Sequence, residues 1–166
     1  MIIKATRDHL SDIIILNEKI ANYMQSNGFN HWGGEYPNES IYRRDILRGS
    51  QYVYLQNNKV IGMVSYDINH HEYFDKISWN ESNLTAYFAH RLAVSPEFQN
   101  KGIAHKLMEF VESKARKDGI DAIRLGAFKE YEKVIKFYSK RGYNIMGEIV
   151  FDVSPIPFVG MEKSLY

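Results

Sequence analysis

The chain has 166 residues, of which 45% are hydrophobic and 25% charged, and its formal net charge is +1 at pH 7. That length suits one domain with a sizeable core, the balance is globular rather than disordered, and the near-zero charge gives no reason to expect a nucleic-acid partner. The absence of cysteine excludes a disulfide framework, a thiolate metal site and a cysteine-borne covalent intermediate.

The amino-terminal stretch MIIKATRDHLSD has charges among its apolar residues and lacks a signal-peptide core. No apolar run approaches the roughly 20 residues of a membrane span, so a cytoplasmic protein with no membrane partner is expected. Residues 2–5 are the first strand candidate. Thr6 and Asp8 offer N-caps for a helix with apolar residues at Leu10, Ile13, Ile14, Ile20 and Met24, ending near Asn27-Gly28. The aromatic, glycine-rich connection GFNHWGGEYP leads to a shorter helix over 37–48, stopped by Gly49. QYVYL (51–55) and KVIGMVSYD (59–67) are β-rich and joined through Asn57-Asn58, a hairpin signal. Residues 69–84 are polar and irregular and are expected as a surface excursion. AYFAHRLAV (86–94) is the longest apolar strand candidate. A glycine turn follows, then a helix whose stripe of Ile103, Leu107, Val111 and Ala115 has four-residue spacing and which ends at Asp118-Gly119. DAIRLGAF (121–128) is the next strand, and 131–140 a helix closed by Arg141-Gly142. YNIMGEIVF (143–151) and PFVGMEKSL (157–165) are two final strands, expected to be antiparallel partners. No repeat, low-complexity tract or linker interrupts the order β-α-α-β-β-β-α-β-α-β-β. It describes one α/β domain, a mixed sheet of about six to seven strands flanked by about four helices.

The charge is spread unevenly. Residues 99–141 carry eleven Lys/Arg against six Asp/Glu, which leaves ten against fourteen elsewhere. The solvated faces of two amphipathic helices explain part of that excess, and an anionic ligand would draw the rest. The basic region opens on PEFQNKGIAHKL (96–107). A strand that enters a helix through a glycine turn exposes the helix's first N–H groups, which together with the helix dipole form an anion site. Gly102 permits an approach that a Cβ would block, Ala104 is small, and Gln99, Asn100 and Lys101 add polar or cationic character. No G-x-x-x-x-G-K-[ST] is present and no G-x-G-x-x-G follows a strand, which argues against a kinase, a P-loop hydrolase or a dinucleotide dehydrogenase. Taken alone, the turn is read equally well as an ordinary strand–helix junction. His70 and His71, adjacent on an extended chain, point to opposite faces; with no Cys and no nearby His-x-x-x-His, no metal is expected.

Gln99-Asn100-Lys101-Gly102-Ile103-Ala104 matches the pattern Q/R-x-x-G-x-G/A. It follows a strand ending Leu92-Ala93-Val94 and the tripeptide Ser95-Pro96-Glu97, and downstream stand KFYSKRGY (136–143) and PFVGMEKSL. In these features the chain resembles the GNAT superfamily of N-acetyltransferases, over nearly its whole length and specifically across 90–143. The resemblance implies acetyl-CoA as cosubstrate, lying where two parallel strands, those ending near Val94 and Phe128, splay apart. Main-chain groups of Leu92, Ala93 and Val94 would pair with the pantetheine arm. Backbone amides of Gln99, Asn100, Lys101, Gly102, Ile103, Ala104 and His105 would hold the pyrophosphate. Tyr138 would be the catalytic acid, on a helix face shared with Tyr131, Val134 and Ile135. Coenzyme A leaves as a thiolate of free pKa about 8.5, to which a phenol near 10 is a fitting donor; a packed helix aromatic, like Phe137, is the other reading of Tyr138. Tyr131 stands where members often carry a cofactor-contacting Asn, and Val134 where Ala is usual. The wall beside the cofactor is therefore bulkier and bears on which acyl group fits, acetyl being the default.

An alkyl ammonium of pKa near 10.4 must lose a proton before it attacks, at a cost of roughly 4–5 kcal/mol at pH 7. Many members place a Glu in the strand that ends at Val94; here the nearby residues are Tyr87, Phe88 and Ala89. His90 is the nearest titratable candidate, on the parity of Leu92 and Val94 unless a bulge intervenes. It reads either as the base or as a hydrogen-bonded core residue. GFNHWGGEYP lies in a region that often walls the acceptor pocket of the family. Trp32 and Tyr36 offer cation–π contacts to an amine and Glu35 an ion pair, while a hydrophobic plug is the alternative for Trp32. Trp79, in the excursion, is a further aromatic within reach of such a pocket. The expected function is an acetyl-CoA-dependent N-acetyltransferase, acting by direct transfer in a ternary complex on a primary amine of a small molecule or peptide. A catalytically idle acyl-CoA-binding module is the alternative. Monomer and homodimer both stay open.

Overall fold

A computed structural model describes residues 1–80, 84–150 and 157–166. In chain order its elements are β1 (Ile2–Lys4), α1 (Leu10–Ser26), α2 (Glu39–Arg48), β2 (Gln51–Gln56), β3 (Lys59–Asp67), β4 (Ala86–Val94), α3 (Ile103–Lys117), β5 (Ala122–Phe128), α4 (Glu132–Lys140), β6 (Asn144–Ile149) and β7 (Phe158–Ser164). The strands form one mixed sheet in the order β1-β2-β3-β4-β5-β7-β6, parallel between β4 and β5 and antiparallel for β1–β2, β2–β3, β5–β7 and β6–β7. The expected α/β class and element order hold. Phe151, the last residue expected in the 143–151 strand, and residues 81–83 of the expected excursion lie outside the described residues.

By its internal contacts the chain divides into two compact units, one of Met1–Tyr66 with His90–Val111 and one of Asp67–Ala89 with Glu112–Tyr166. In the first, Thr6 and His9 bind each other ahead of α1, the Thr6 N–H donating to His9 Nδ1 at 3.0 Å. The helix buries Ile13, Leu16, Ile20 and Met24, the face that its spacing predicts. Asn38, one residue inside the expected helix 37–48, is instead the N-cap of α2 and accepts from the Ile41 N–H at 3.2 Å. Asn57 and Asn58 carry φ of 51° and 58°, the two left-handed residues that a tight hairpin turn needs. The α3 stripe seats Ile103, Leu107 and Val111 in the core. Gly62 of β3 makes this close: a Cβ there would lie 3.2 Å from both Ile103 and Leu107 and 3.3 Å from the Ala93 carbonyl.

The second unit departs from expectation in the excursion. It contains a 3-10 turn, Glu72–Lys76, and Phe74 and Ile77 are buried. The reason is a row of glycines that pair across three strands, Gly126 of β5, Gly160 of β7 and Gly147 of β6. With no side chains there the sheet face is hollow, and the excursion fills it. A Cβ on Gly160 would meet Ile77 at 2.1 Å and Trp79 at 3.1 Å, and one on Gly126 would meet Phe74 at 3.1 Å. Beside this plug Arg124 pairs with buried Glu162 at 2.7 Å and lies 4.7 Å from the Trp79 ring centroid. A second buried carboxylate, Glu112 of α3, binds Arg141 at 2.9 Å, Lys163 at 2.8 Å and the Tyr143 hydroxyl at 3.2 Å.

Candidate active site

The glycine turn is built by backbone handedness. Ser95, buried at the end of β4, donates its N–H to the Ile61 carbonyl at 2.9 Å. A 3-10 turn, Pro96–Phe98, follows, and the Gln99 side-chain Nε2 donates back to the Val94 carbonyl at 3.2 Å. Asn100 and Gly102 then take φ of 60° and 78°, which swings the chain into α3. The first helical bond runs from the Lys106 N–H to the Gly102 carbonyl at 3.0 Å, so the amides of Ile103, Ala104 and His105 stand ahead of it at the helix end. A Cβ on Gly102 would meet nothing within 4 Å. Its glycine is thus required by a left-handed φ and not by crowding from the protein. Lys101 is exposed, its ammonium 5.1 Å from the Phe98 ring centroid.

The strand leading into this turn is irregular where the sequence suggests plain alternation. Parallel pairing of β4 with β5 runs from Ala86↔Ala122 to Ala89↔Leu125. Two residues on, Arg91 takes a φ of 52°. A left-handed residue inside a strand resets its alternation, so His90 does not share the simple parity with Leu92 and Val94 on which its candidacy as a base rested. His90 and Leu92 are half-buried, Ala93 and Val94 buried.

The acceptor candidates lie on a tight turn between α1 and α2. The Gly33 N–H donates to the Tyr36 carbonyl at 2.8 Å, and Gly33 packs so closely on α1 that a Cβ would stand 2.8 Å from Ala21 Cβ. Asn17, buried on α1, secures the turn at both ends. Its Oδ1 accepts from the Trp32 indole at 2.8 Å and from the Tyr42 hydroxyl at 2.9 Å, and its amide donates to the Pro37 carbonyl at 3.2 Å. Trp32 is therefore half-buried and tethered, whereas Glu35 and Tyr36 are exposed. Arg91 donates to the Tyr36 oxygen at 3.3 Å and pairs with Asp45, which also receives Arg44 at 3.2 Å. His31, preceding Trp32, is pushed down to about 4 by burial and is neutral at physiological pH.

In the other unit Tyr138, in the last turn of α4, is buried with its ring 5.1 Å from Phe137 and 5.5 Å from Tyr143. No described residue hydrogen-bonds its hydroxyl. Burial pushes its pKa up, with Arg141 pulling in the opposite direction, so the phenol holds its proton at neutral pH and is a donor. Tyr131, expected on the same helix face, is the N-cap residue just outside α4 and is half-buried. Trp79 plugs the glycine row of its own unit. Among the described residues no group of three or more His, Cys, Asp or Glu is placed to hold a metal ion. His70 instead binds Asp75 at 2.7 Å, and His71 stacks on Tyr73. Nor is any described helix long and apolar enough to cross a membrane.

Residues 17–143, from the middle of α1 through the glycine turn to just past α4, match the model of the acetyltransferase (GNAT) family. The chain belongs to that family. Its class is therefore that of an acyltransferase, as the signature at 99–104 leads one to expect. Among similar proteins, the uncharacterized N-acetyltransferase YesJ of Bacillus subtilis (strain 168) is 24% identical over 132 residues, 78% of this chain and 73% of YesJ. A GNAT-family acetyltransferase of Streptococcus agalactiae 2603 shares the fold with a TM-score of 0.86 at 21% identity, covering 99% of this chain and 94% of that one. The PaiA N-acetyltransferase of Thermoplasma acidophilum, solved in complex with coenzyme A, gives 0.74 at 18% identity, covering 99% and 98%. Against this GNAT background the residues that sequence reasoning missed are Asn17, Asp45 and Arg91. Each carried a signal: a polar residue within the apolar face of α1, an acid near the end of α2, and a cation inside the apolar strand AYFAHRLAV.

Proposed function

We propose that the protein transfers the acetyl group of acetyl-CoA to a primary amine by direct attack within a ternary complex. The observation that carries this reading is the start of α3, where left-handed Asn100 and Gly102 leave open space before a helix end, inside the region that matches the family. The Gln99 N–H is already given to the Pro96 carbonyl at 3.3 Å, so the amides of residues 100–105 hold the pyrophosphate, and main-chain groups of residues 92–94 hold the pantetheine arm. The Val94 carbonyl is already taken by Gln99, so Leu92 and Ala93 supply the larger share. Trp32, Glu35 and Tyr36 receive the amine, Glu35 by charge and the rings by cation–π contact. Tyr138 hydrogen-bonds the sulfur as the C–S bond breaks. Because burial raises the phenol above its usual 10, complete transfer to a thiolate near 8.5 is uphill, and Tyr138 acts chiefly by hydrogen-bond donation as charge develops.

Thermal unfolding with acetyl-CoA, desulfo-CoA and ATP tests the binding half. Mass action gives about 2.7 kcal/mol of stabilisation at a hundredfold excess over Kd, expected with both CoA compounds and not with ATP. Thiol release with a panel of amines tests the chemistry. Tyr138→Phe is expected to lower kcat by roughly 10²–10⁴-fold and to leave the CoA-induced shift intact. Stabilisation by CoA without turnover of any amine would replace the enzyme reading with that of an acyl-CoA-binding module, and no stabilisation at all would remove both.

A further inference from the structure

One contact of the acceptor turn is unaccounted for by holding an amine. Arg91 is a non-glycine residue at left-handed φ within a strand, whereas the others among the described residues, Asn57, Asn58 and Asn100, belong to turns and are of the type that tolerates it. Such outliers persist where the surroundings over-determine them, and they cluster at functional sites. The Arg91 side chain is 6% exposed and Asp45 2%. Asp45 already has Arg44 as a counter-ion, so its charge does not by itself require a second, buried guanidinium. What Arg91 adds is its bond to Tyr36, a ring that is half exposed on the turn.

A guanidinium has donors only, so the Tyr36 oxygen is the acceptor in that bond. No described residue takes the Tyr36 proton. Resting on the acceptor role proposed above for residues 32–36, we infer that Arg91 is a positioning residue. It pins the Tyr36 oxygen and leaves the polarised O–H to donate to an oxygen on the acceptor, so that the preferred substrate is an amine carrying a carbonyl or carboxylate beside it. The turn is stiff enough for this, held by the Gly33–Tyr36 bridge and, at both ends, by Asn17. It also presents the two complementary groups for an aminoacyl unit, the Glu35 carboxylate for the ammonium and the Tyr36 hydroxyl for the oxygen. Amino-acid amides and the first residue of a peptide are the substrate class.

The test compares alaninamide with isobutylamine, which lacks the oxygen. Steady-state kinetics and calorimetric titration into CoA-saturated protein are run on wild type, Tyr36→Phe, Arg91→Met and Arg91→Lys. The wild type is expected to prefer alaninamide, and Tyr36→Phe to lose about tenfold of that preference, through KM rather than kcat. Comparing preferences between variants cancels the difference in amine basicity. Arg91→Met is expected to lose the preference likewise and Arg91→Lys to retain part of it; should Arg91→Met not fold, Tyr36→Phe decides alone. Turnover of amines with a preference unchanged in Tyr36→Phe overturns the inference and leaves the acetyltransferase reading standing. A Tyr36-dependent preference in calorimetry without any turnover does the reverse. Binding of neither amine overturns the inference as well.

Discussion

Gly102 and Gly119 have nearly the same backbone, φ of 78° and 72°, and a Cβ on either would meet nothing within 4 Å. Alanine at either position pays the left-handed penalty, about 1–2 kcal/mol. The difference lies in what the open space is for. Before α3 it is the place proposed for the pyrophosphate, whereas Gly119 follows the carboxyl end of α3. Chemical denaturation is expected to give similar losses for Gly102→Ala and Gly119→Ala, and CoA titration to show weakened affinity for the first alone. Equal affinities would reduce Gly102 to a turn residue. A glycine turn at 102 is legible in the sequence because it is local, one residue between a strand and a helix, although its left-handed φ is seen only in the structure. The importance of Arg91 is not legible, because its partner Asp45 is 46 positions away and nothing within a few residues of either one names the other.

At the scale of elements, the hollow row of Gly126, Gly160 and Gly147 explains why a polar-looking stretch carries Phe74, Ile77 and Trp79. Gly160→Ala forces Ile77 aside and is expected to destabilise by about 1–3 kcal/mol. In an Ile77→Ala background the same substitution should cost far less, since the clashing methyl is gone. The non-additivity in a double-mutant cycle measures that contact, and strict additivity would mean that the strain is taken up elsewhere. Glu112 is the second long-range fastening. Its removal leaves Arg141 and Lys163 without their carboxylate, and breaking a buried pair from one side costs about 3–5 kcal/mol, so Glu112→Ala is expected to lower the unfolding midpoint strongly. Strand and helix identities were readable because apolar spacing of two or four residues reports which face is buried. The glycine row was not, because it appears only when β5, β7 and β6 are aligned in register.

For the molecule as a whole, His31 and Glu112 contribute to the acid side of the stability profile. His31 has a folded pKa of about 4 because of burial, below its ordinary 6.5. Above pH 6.5 it is neutral in both states; below, the unfolded chain takes up a proton that the folded chain refuses, and stability falls as pH drops from 6.5 toward 4. Burial pushes Glu112 up, but the hydrogen bonds and charges of Lys163 and Arg141 outweigh it and hold the carboxyl below its usual 4.5. Its contribution is therefore present above that pH and lost beneath it. Urea midpoints are expected to be flat from pH 8.5 to 7.5 and lower at pH 5, and His31→Gln to remove much of the loss at pH 5. An unchanged slope in that variant would assign the loss to other groups.

The sequence by itself determined the class and order of the elements, the hairpin at Asn57-Asn58, the glycine turn and, through 99–104 and its context, the family. The elements, the hairpin and the turn rest on periodicity or on backbone angles set within a few residues, and the family rests on the resemblance of a motif and its context. Only the tertiary structure decided that β7 lies between β5 and β6, that Arg91 breaks the alternation of β4 and anchors Tyr36, that the excursion fills a glycine hollow, and that Glu112 gathers Arg141, Tyr143 and Lys163. Those features join residues tens of positions apart, 51 for Glu112 and Lys163 and 83 for Ile77 and Gly160. Their energy comes from burying charges and apolar groups against specific partners, and that energy does not exist until the chain has brought the partners together.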